Sequence, residues 1–333
     1  MPLGEKGRSA ASGTKGSGSS RPALRNRLRA WWEGYDQEEY EAWLKSKEVP
    51  EEPEDEPAPP PPPPANEEPL RSIAWKPKRI KIANLIWGEG YCGPGGSQYV
   101  IDLVKLLGLT PEMSVLIVGG GLGGPARALA ANYGCYVSAY EASPELAEAG
   151  SELSVGAGLG RKAPIEHMDF ESMAPFTRKF DAAVAKEALL TIRHKTEVVR
   201  EVFASLKSSR LFLVTDYVLG DQIGLEDPVI ADWLADEPTP CHVVGNDTLV
   251  SLFERAGFSV RVKEDQSDHY RSLIARSWAD AGQLLSQLME EGEEGKSLAQ
   301  VLSDEAALWA KRSHLLEQKK LSLMRYVLEK SAY

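Results

Sequence analysis

From Arg71 onward, apolar positions alternate between short unbroken runs and stretches spaced three or four apart. The runs predict buried strands at Val115–Val118, Tyr136–Tyr140, Pro164–Met168, Phe180–Ala185 and Leu211–Thr215. Two more strands, at Phe258–Val262 and Ser272–Ala275, close the pattern. The helical spacings predict helices over Gln98–Leu107, Ala126–Tyr133, Pro144–Val155, Thr196–Leu206 and a capped one over Asn246–Ala256. Alternating strands and helices imply an α/β fold with a parallel sheet covered on both faces. Residues 278–330 read as amphipathic helix, with leucines recurring from Leu284 to Leu323.

The first 70 residues are different. Residues 22–47 hold two short helical patterns, Leu24, Leu28, Trp31, Trp32 and Tyr35, then Tyr40, Trp43 and Leu44 after an Asp36–Glu39 capping box. They fit a helix pair packing back on the main domain or a tethered docking motif for another protein. Ten of the 22 prolines lie between Pro50 and Pro69, so 48–69 reads as a stiff, acidic spacer. Residues 1–30 carry seven basic and one acidic side chain; residues 31–70 carry two basic and thirteen acidic. Clustered like charge and proline leave no packed core there, so 1–70 is expected to be a mostly disordered tail.

Charge and cysteine usage exclude several classes. A net charge of −11 disfavours a general nucleic-acid binder. No apolar run is long enough to span a membrane, and Met1–Ser20 is no secretory signal. Cys92, Cys135 and Cys241 are few and far apart, and the five histidines show no ligand spacing. That argues against disulfides and a metal site, and fits a reducing cytoplasm.

The informative stretch is Val115–Gly124, an apolar strand running into Gly119, Gly120, Gly121, Leu122, Gly123 and Gly124 before a helix. Such glycines permit a tight turn and close backbone approach to a ligand. Glu141, 22 residues after Gly119, ends the next strand, where an acid accepts ribose hydroxyls. The spacing serves two cofactors, NAD and S-adenosylmethionine. Three features favour the second. About 45 residues from Arg71 onward precede the first strand. Asp169 follows the third strand, where it could accept an adenine amino group. The last helix, Gly257–Phe258 turn and strands look like the end of a class I methyltransferase sheet.

Ile86–Tyr91, Gly95–Gly96, the glycine loop, Phe180–Asp181, Val214–Tyr217 and Trp309–Arg312 resemble phosphoethanolamine N-methyltransferases, over about residues 71–330. The resemblance implies a Rossmann-like seven-stranded sheet with helices on both faces, N-terminal lid helices and a C-terminal helical extension. It divides 71–333 into lid 71–107, core 108–277 and C-terminal helices 278–333. It implies S-adenosylmethionine as cofactor, with Gly119, Gly121 and Gly123 as its loop. Glu141 is the matching ribose acid, Asp169 the adenine-side acid, and Tyr91 and Gly96 belong to the covering loop. Ala142, Phe170 and Lys186 join that set. Tyr217 matches a substrate-pocket aromatic.

The departures bear on chemistry. The usual strand-end Asp is Ile117, and the Ser-Arg pair after the fourth strand reads Ala185–Lys186. The family's catalytic His falls at Thr191 and its Tyr near Ala74–Trp75. Its phosphate clamp falls at Trp233 and Glu237, and an acid there would repel phosphate, which disfavours phosphoethanolamine.

Methyl transfer needs alignment and dryness, and a base only where the nucleophile carries a proton. Tyr91, Glu187 and Tyr217 are the catalytic candidates. Trp75, Trp87, Asp216, Tyr217, Trp233 and His242 are expected to form the pocket of a small-molecule acceptor. The expectation is methyl transfer to such an acceptor. The alternatives are a methyltransferase fold kept as a cofactor-binding interaction module, and an NAD-dependent oxidoreductase.

Overall fold

The computed structural model describes residues 75–331. The expected tail helices and spacer fall outside them. Seven strands form one sheet in the order β3-β2-β1-β4-β5-β7-β6. They are β1 Ser114–Val118, β2 Tyr136–Glu141, β3 Ile165–His167, β4 Phe180–Lys186, β5 Leu206–Leu219, β6 Phe258–Asp265 and β7 Leu321–Lys330. The first five are parallel, and β7 runs antiparallel to both β5 and β6. The sheet is therefore mixed, not all parallel.

In β1, Leu116 and Val118 face one side and Val115 and Ile117 the other, and all four are buried. A strand buried on both faces needs a helical layer on each. The layers are drawn from α1 Pro77–Trp87, α2 Gly96–Val104, α3 Gly124–Tyr133, α4 Pro144–Gly156, α5 Lys195–Ser205, α6 Pro228–Asp236, α7 Asn246–Arg255, α8 Ser267–Ser277, α9 Ala281–Glu290 and α10 Gly292–Glu317. One core cluster joins Leu116 and Val118 to Val198, Val202, Leu249, Phe253, Phe212 and Tyr326. Helix α4 starts as expected, with Pro144 in its first turn and the Ser143 hydroxyl accepting from Leu146 N. Helix α7 starts differently. Gly245 is its N-cap, and the Asn246 side chain instead accepts from Tyr326 Oη at 2.7 Å.

Two expectations about the C-terminus are corrected. Ser272–Ala275 is not a strand but part of α8, whose buried Tyr270, Leu273 and Ile274 have helical spacing. Residues 278–330 are not helical throughout, because Leu321–Lys330 inserts between β5 and β6 as the seventh strand. The core sheet thus extends beyond residue 277. Buried on both faces, β7 shows near-continuous apolar positions that a helical reading also accommodates.

Helix α1 buries Arg79, Ile82, Ala83, Ile86 and Trp87 as one stripe and stops at Gly88, whose φ is 89°. It docks on α10. Trp87 and Trp309 lie with ring centroids 4.5 Å apart, and Lys78 Nζ donates to Ser297 Oγ at 2.7 Å. Among the described residues no helix is long and apolar enough to cross a membrane.

Candidate functional site

Ligands of open parallel sheets bind outside the carboxyl ends of the strands, where the strand order reverses. Here that point lies between β1 and β4. A cavity of about 200 Å³ occupies it, walled by the ends of β1, β2, β4 and β5 and by side chains of α1, α8 and α10.

One end is the glycine turn. Gly119 N and Gly120 N both donate to Tyr140 O, at 2.9 and 2.8 Å, which ties the end of β1 to β2. Gly119, Gly121 and Gly123 have φ of 75°, 52° and 77°, a region that disfavours any side chain. A Cβ at Gly119 would also lie 2.4 Å from the Ala188 Cβ. Glu141 ends β2 at the cavity wall. Its Oε2 accepts from Gly121 N at 2.7 Å and its Oε1 from Ser143 N at 2.9 Å. Burial pushes this carboxyl above its ordinary pKa, and the backbone bonds partly offset that. Each oxygen keeps a lone pair for a ligand hydroxyl.

The loop after α1 covers this end. Gly124 N donates to Gly90 O at 2.8 Å, and Tyr91 Oη donates to Gly124 O at 3.2 Å. A Cβ at Gly124 would sit 2.4 Å from Gly90 O, so glycine there permits the loop to close.

The middle of the cavity is polar. Glu187 follows β4 with φ 49°, a strained value for a residue with a Cβ. Its backbone N donates to Thr215 O at 2.6 Å. Its Oε1 accepts from Thr215 Oγ1 at 2.8 Å, and its Oε2 accepts from Lys186 Nζ at 2.5 Å and Tyr270 Oη at 3.1 Å. Lys186 Nζ also lies 5.6 Å from the Tyr99 ring centroid and 5.8 Å from that of Tyr270. Burial pushes the Tyr217 and Tyr270 phenols well up, so both stay protonated at neutral pH. Cys92 and Cys241 line the cavity as thiols, each pushed by burial to about 12.

The far wall is charged and aromatic. Glu305, Trp309 and Arg312 line it from one face of α10. Arg312 donates from Nε and Nη2 to the two Glu237 oxygens, at 2.7 and 2.5 Å, and Trp233 Nε1 donates to Glu237 Oε1 at 2.5 Å. The expected repulsion of phosphate by Glu237 is therefore corrected: its charge is neutralised by Arg312. Arg79 pairs with Glu305, with Trp75 over its guanidinium.

The cavity brings together Trp75, Tyr91, Gly119, Gly121, Glu141, Ala142, Phe170, Lys186, Glu187 and Tyr217. It does not include Gly96, Gly123, Trp87, Asp169, Asp216, Trp233 or His242. Gly123 caps α3, and Gly96 opens α2. Trp87 is packed between Trp309 and Trp278. Asp169 is exposed, and its oxygens accept from Glu171 N and Ser172 Oγ. Asp216 is corrected from pocket residue to buried brace, accepting from Leu190 N and Tyr217 N at 2.9 and 2.8 Å. Trp233 is fully buried against Glu237, and His242 instead donates its backbone N to Leu190 O at 2.7 Å. The missed residues, Arg79, Tyr270, Glu305 and Arg312, come from helices whose cavity-facing side depends on long-range packing. The local signals were the helical spacing of Glu305, Trp309 and Arg312 and the resemblance carried by Trp309–Arg312.

A family model described as "Methyltransferase domain" matches residues 96–262, just over half of the chain. Phosphoethanolamine N-methyltransferase of Triticum aestivum is 28% identical over 217 residues, covering 63% of this chain and 41% of that protein. Phosphoethanolamine N-methyltransferase 1 of Zea mays is 26% identical over 207 residues, covering 62% and 40%. The chain thus spans about 40% of the length of these relatives. The structure of Haemonchus contortus phosphoethanolamine N-methyltransferase 2 in complex with S-adenosyl-L-methionine superposes with TM-score 0.68 at 15% identity, covering 81% of this chain and 61% of that one. At that identity the superposition speaks for the fold.

Proposed function

The chain belongs to the methyltransferase-domain family, and from that premise we propose that it transfers a methyl group from S-adenosylmethionine to a small-molecule acceptor other than phosphoethanolamine. The observation that carries this reading is Glu141, oriented by Gly121 N and Ser143 N at the glycine end of a cavity that continues to the Lys186–Glu187–Tyr270 cluster.

The residues present fit the cofactor. The turn at Gly119 and Gly121 presents backbone where a Cβ would intrude. Glu141 would accept from ribose hydroxyls, and Ala142, Leu146 and Phe170 would offer an apolar wall for a base. Tyr91 holds the covering loop down. When bound, S-adenosylmethionine supplies a methyl group already activated on a sulfonium. Trp75, Tyr217, Tyr270 and Trp309 enclose the acceptor and keep water out. Where the nucleophile must lose a proton, Glu187 Oε2 receives it.

Phosphoethanolamine is disfavoured by the side chains that are missing. The family's Tyr falls near Ala74–Trp75 and its His at Thr191; Trp75 and Thr191 both line the cavity, and neither is the expected residue. The same observation favours a second reading, cofactor binding without turnover, because neither side chain titrates near neutrality. Labelled methyl transfer from S-adenosylmethionine over a panel of amines, phenols and carboxylic acids separates the two. Turnover on any of them supports the first reading; none across the panel, with the cofactor bound, supports the second.

A further inference from the structure

Arg79 stands on α1 with 7% of its side chain exposed, and its Nε donates to Glu305 on α10. Trp75 lies over it, 4.1 Å from ring centroid to guanidinium carbon. All three line the cavity. Glu305 takes the Nε edge, which leaves Nη1 on the other side of the planar fork. Nη1 is buried and has no hydrogen-bond partner among the described residues. Buried donors without acceptors are rare in native proteins, and a charged one is costly. Beside a cavity, such a donor points to an acceptor atom that a ligand brings. Nη1–H is a donor on a cation, so the atom it fits is an anionic oxygen.

We propose that Arg79 is a specificity-determining residue that takes an anionic oxygen group, carboxylate or phosphate, of the methyl acceptor through its free Nη1–H. The rings of Trp75, Trp309, Tyr217 and Tyr270 enclose the apolar body that carries this group. Calling the ligand a methyl acceptor rests on the methyl-transfer reading; its capture by Arg79 does not. Arg79 pairs with Glu305 on α10, whereas Glu141 is held by Gly121 N and Ser143 N at the glycine end of the same cavity.

The test uses the full-length protein and three ligands, benzoate, phenyl phosphate and neutral benzamide, followed by calorimetry and by tryptophan fluorescence. Benzoate or phenyl phosphate is expected to bind at least about 10-fold tighter than benzamide, and the tighter of the two identifies the anionic group. Arg79→Gln should abolish that preference while leaving S-adenosylhomocysteine affinity unchanged. Glu305→Gln, which keeps the guanidinium and removes its counter-charge, should bind the anion at least as tightly as wild type. The proposal is overturned if anions bind no better than benzamide, if Arg79→Gln keeps the preference, or if Glu305→Gln weakens anion binding. Should Arg79→Gln fail to fold, the wild-type comparison and Glu305→Gln decide. Failure to bind S-adenosylhomocysteine would count against the methyl-transfer reading alone.

Discussion

Both oxygens of Glu237 are held by the guanidinium of Arg312, at 2.7 and 2.5 Å, with 1% and 15% of the two side chains exposed. The pair joins the end of α6 to α10 and forms part of the cavity wall. Removing one partner strands a buried charge, which typically costs about 3–5 kcal/mol. Arg312→Met is therefore expected to lower unfolding free energy by about that amount in denaturant titrations. Arg312→Met/Glu237→Gln should regain most of it, because an amide at that position still accepts from Trp233. A double variant no more stable than Arg312→Met would show that the pair is held for packing rather than for charge.

The Tyr270 hydroxyl donates to Glu187 Oε2 at 3.1 Å, and Tyr270 is buried. Tyr270→Phe removes one of three donors to Glu187 and no ring volume. Turnover is expected to fall about 10-fold, the effect of roughly 1.4 kcal/mol in the transition state. The dissociation constant for S-adenosylhomocysteine should stay within about twofold. Equal losses in both would place the role of Tyr270 in the fold instead.

At Gly119 the φ of 75° and the 2.4 Å approach to Ala188 act together. Gly119→Ala is expected to cost at least about 1–2 kcal/mol from the left-handed backbone alone. Gly156, at the end of α4, has nothing within 4 Å of its Cβ position. Gly156→Ala should be neutral or slightly stabilising. Thermal melts of the two variants provide the comparison, and equal shifts would contradict it.

Asp181 accepts from Ser114 N at 3.0 Å, Ser114 Oγ at 3.1 Å and Lys207 Nζ at 2.8 Å. Burial pushes its carboxyl up, but the bonds from Lys207 and Ser114 outweigh it and hold the pKa below 3.8. A carboxyl depressed on folding adds stability above its unfolded pKa and loses it as pH falls through the folded one. Asp181→Asn is therefore expected to cost about 1.5–3 kcal/mol at pH 7. The gap between wild type and variant should shrink from about pH 5 downward, as unfolding curves at several pH values would reveal. A gap that stays constant to low pH would mean that the charge is not what stabilises.

The glycine turn and Glu141 were legible in the sequence because their signal is local. A buried run, a glycine turn and a strand-ending acid fall within one strand–helix–strand stretch, and they lie at the ends of β1 and β2. The C-terminal third was less so. Leu321 and Leu323 extend a leucine series that fits helical spacing, and only pairing with β5 and β6 makes them strand. Asp216 and Tyr217 are neighbours on β5, and alternation sends one to the cavity and the other behind it. Which of the two faces the cavity depends on the distant Leu189–Thr191 turn, where Leu190 N donates to Asp216. Glu237 looked like an uncompensated charge because its partner lies 75 residues away.

The most direct measurement is calorimetric titration of S-adenosylhomocysteine into wild type and Glu141→Ala. Wild type is expected to bind at micromolar concentrations or tighter. Losing charge-assisted bonds of about 1.5–3 kcal/mol should weaken the variant roughly 10- to 100-fold. No binding to wild type at high micromolar ligand, or unchanged affinity in Glu141→Ala, would contradict that expectation.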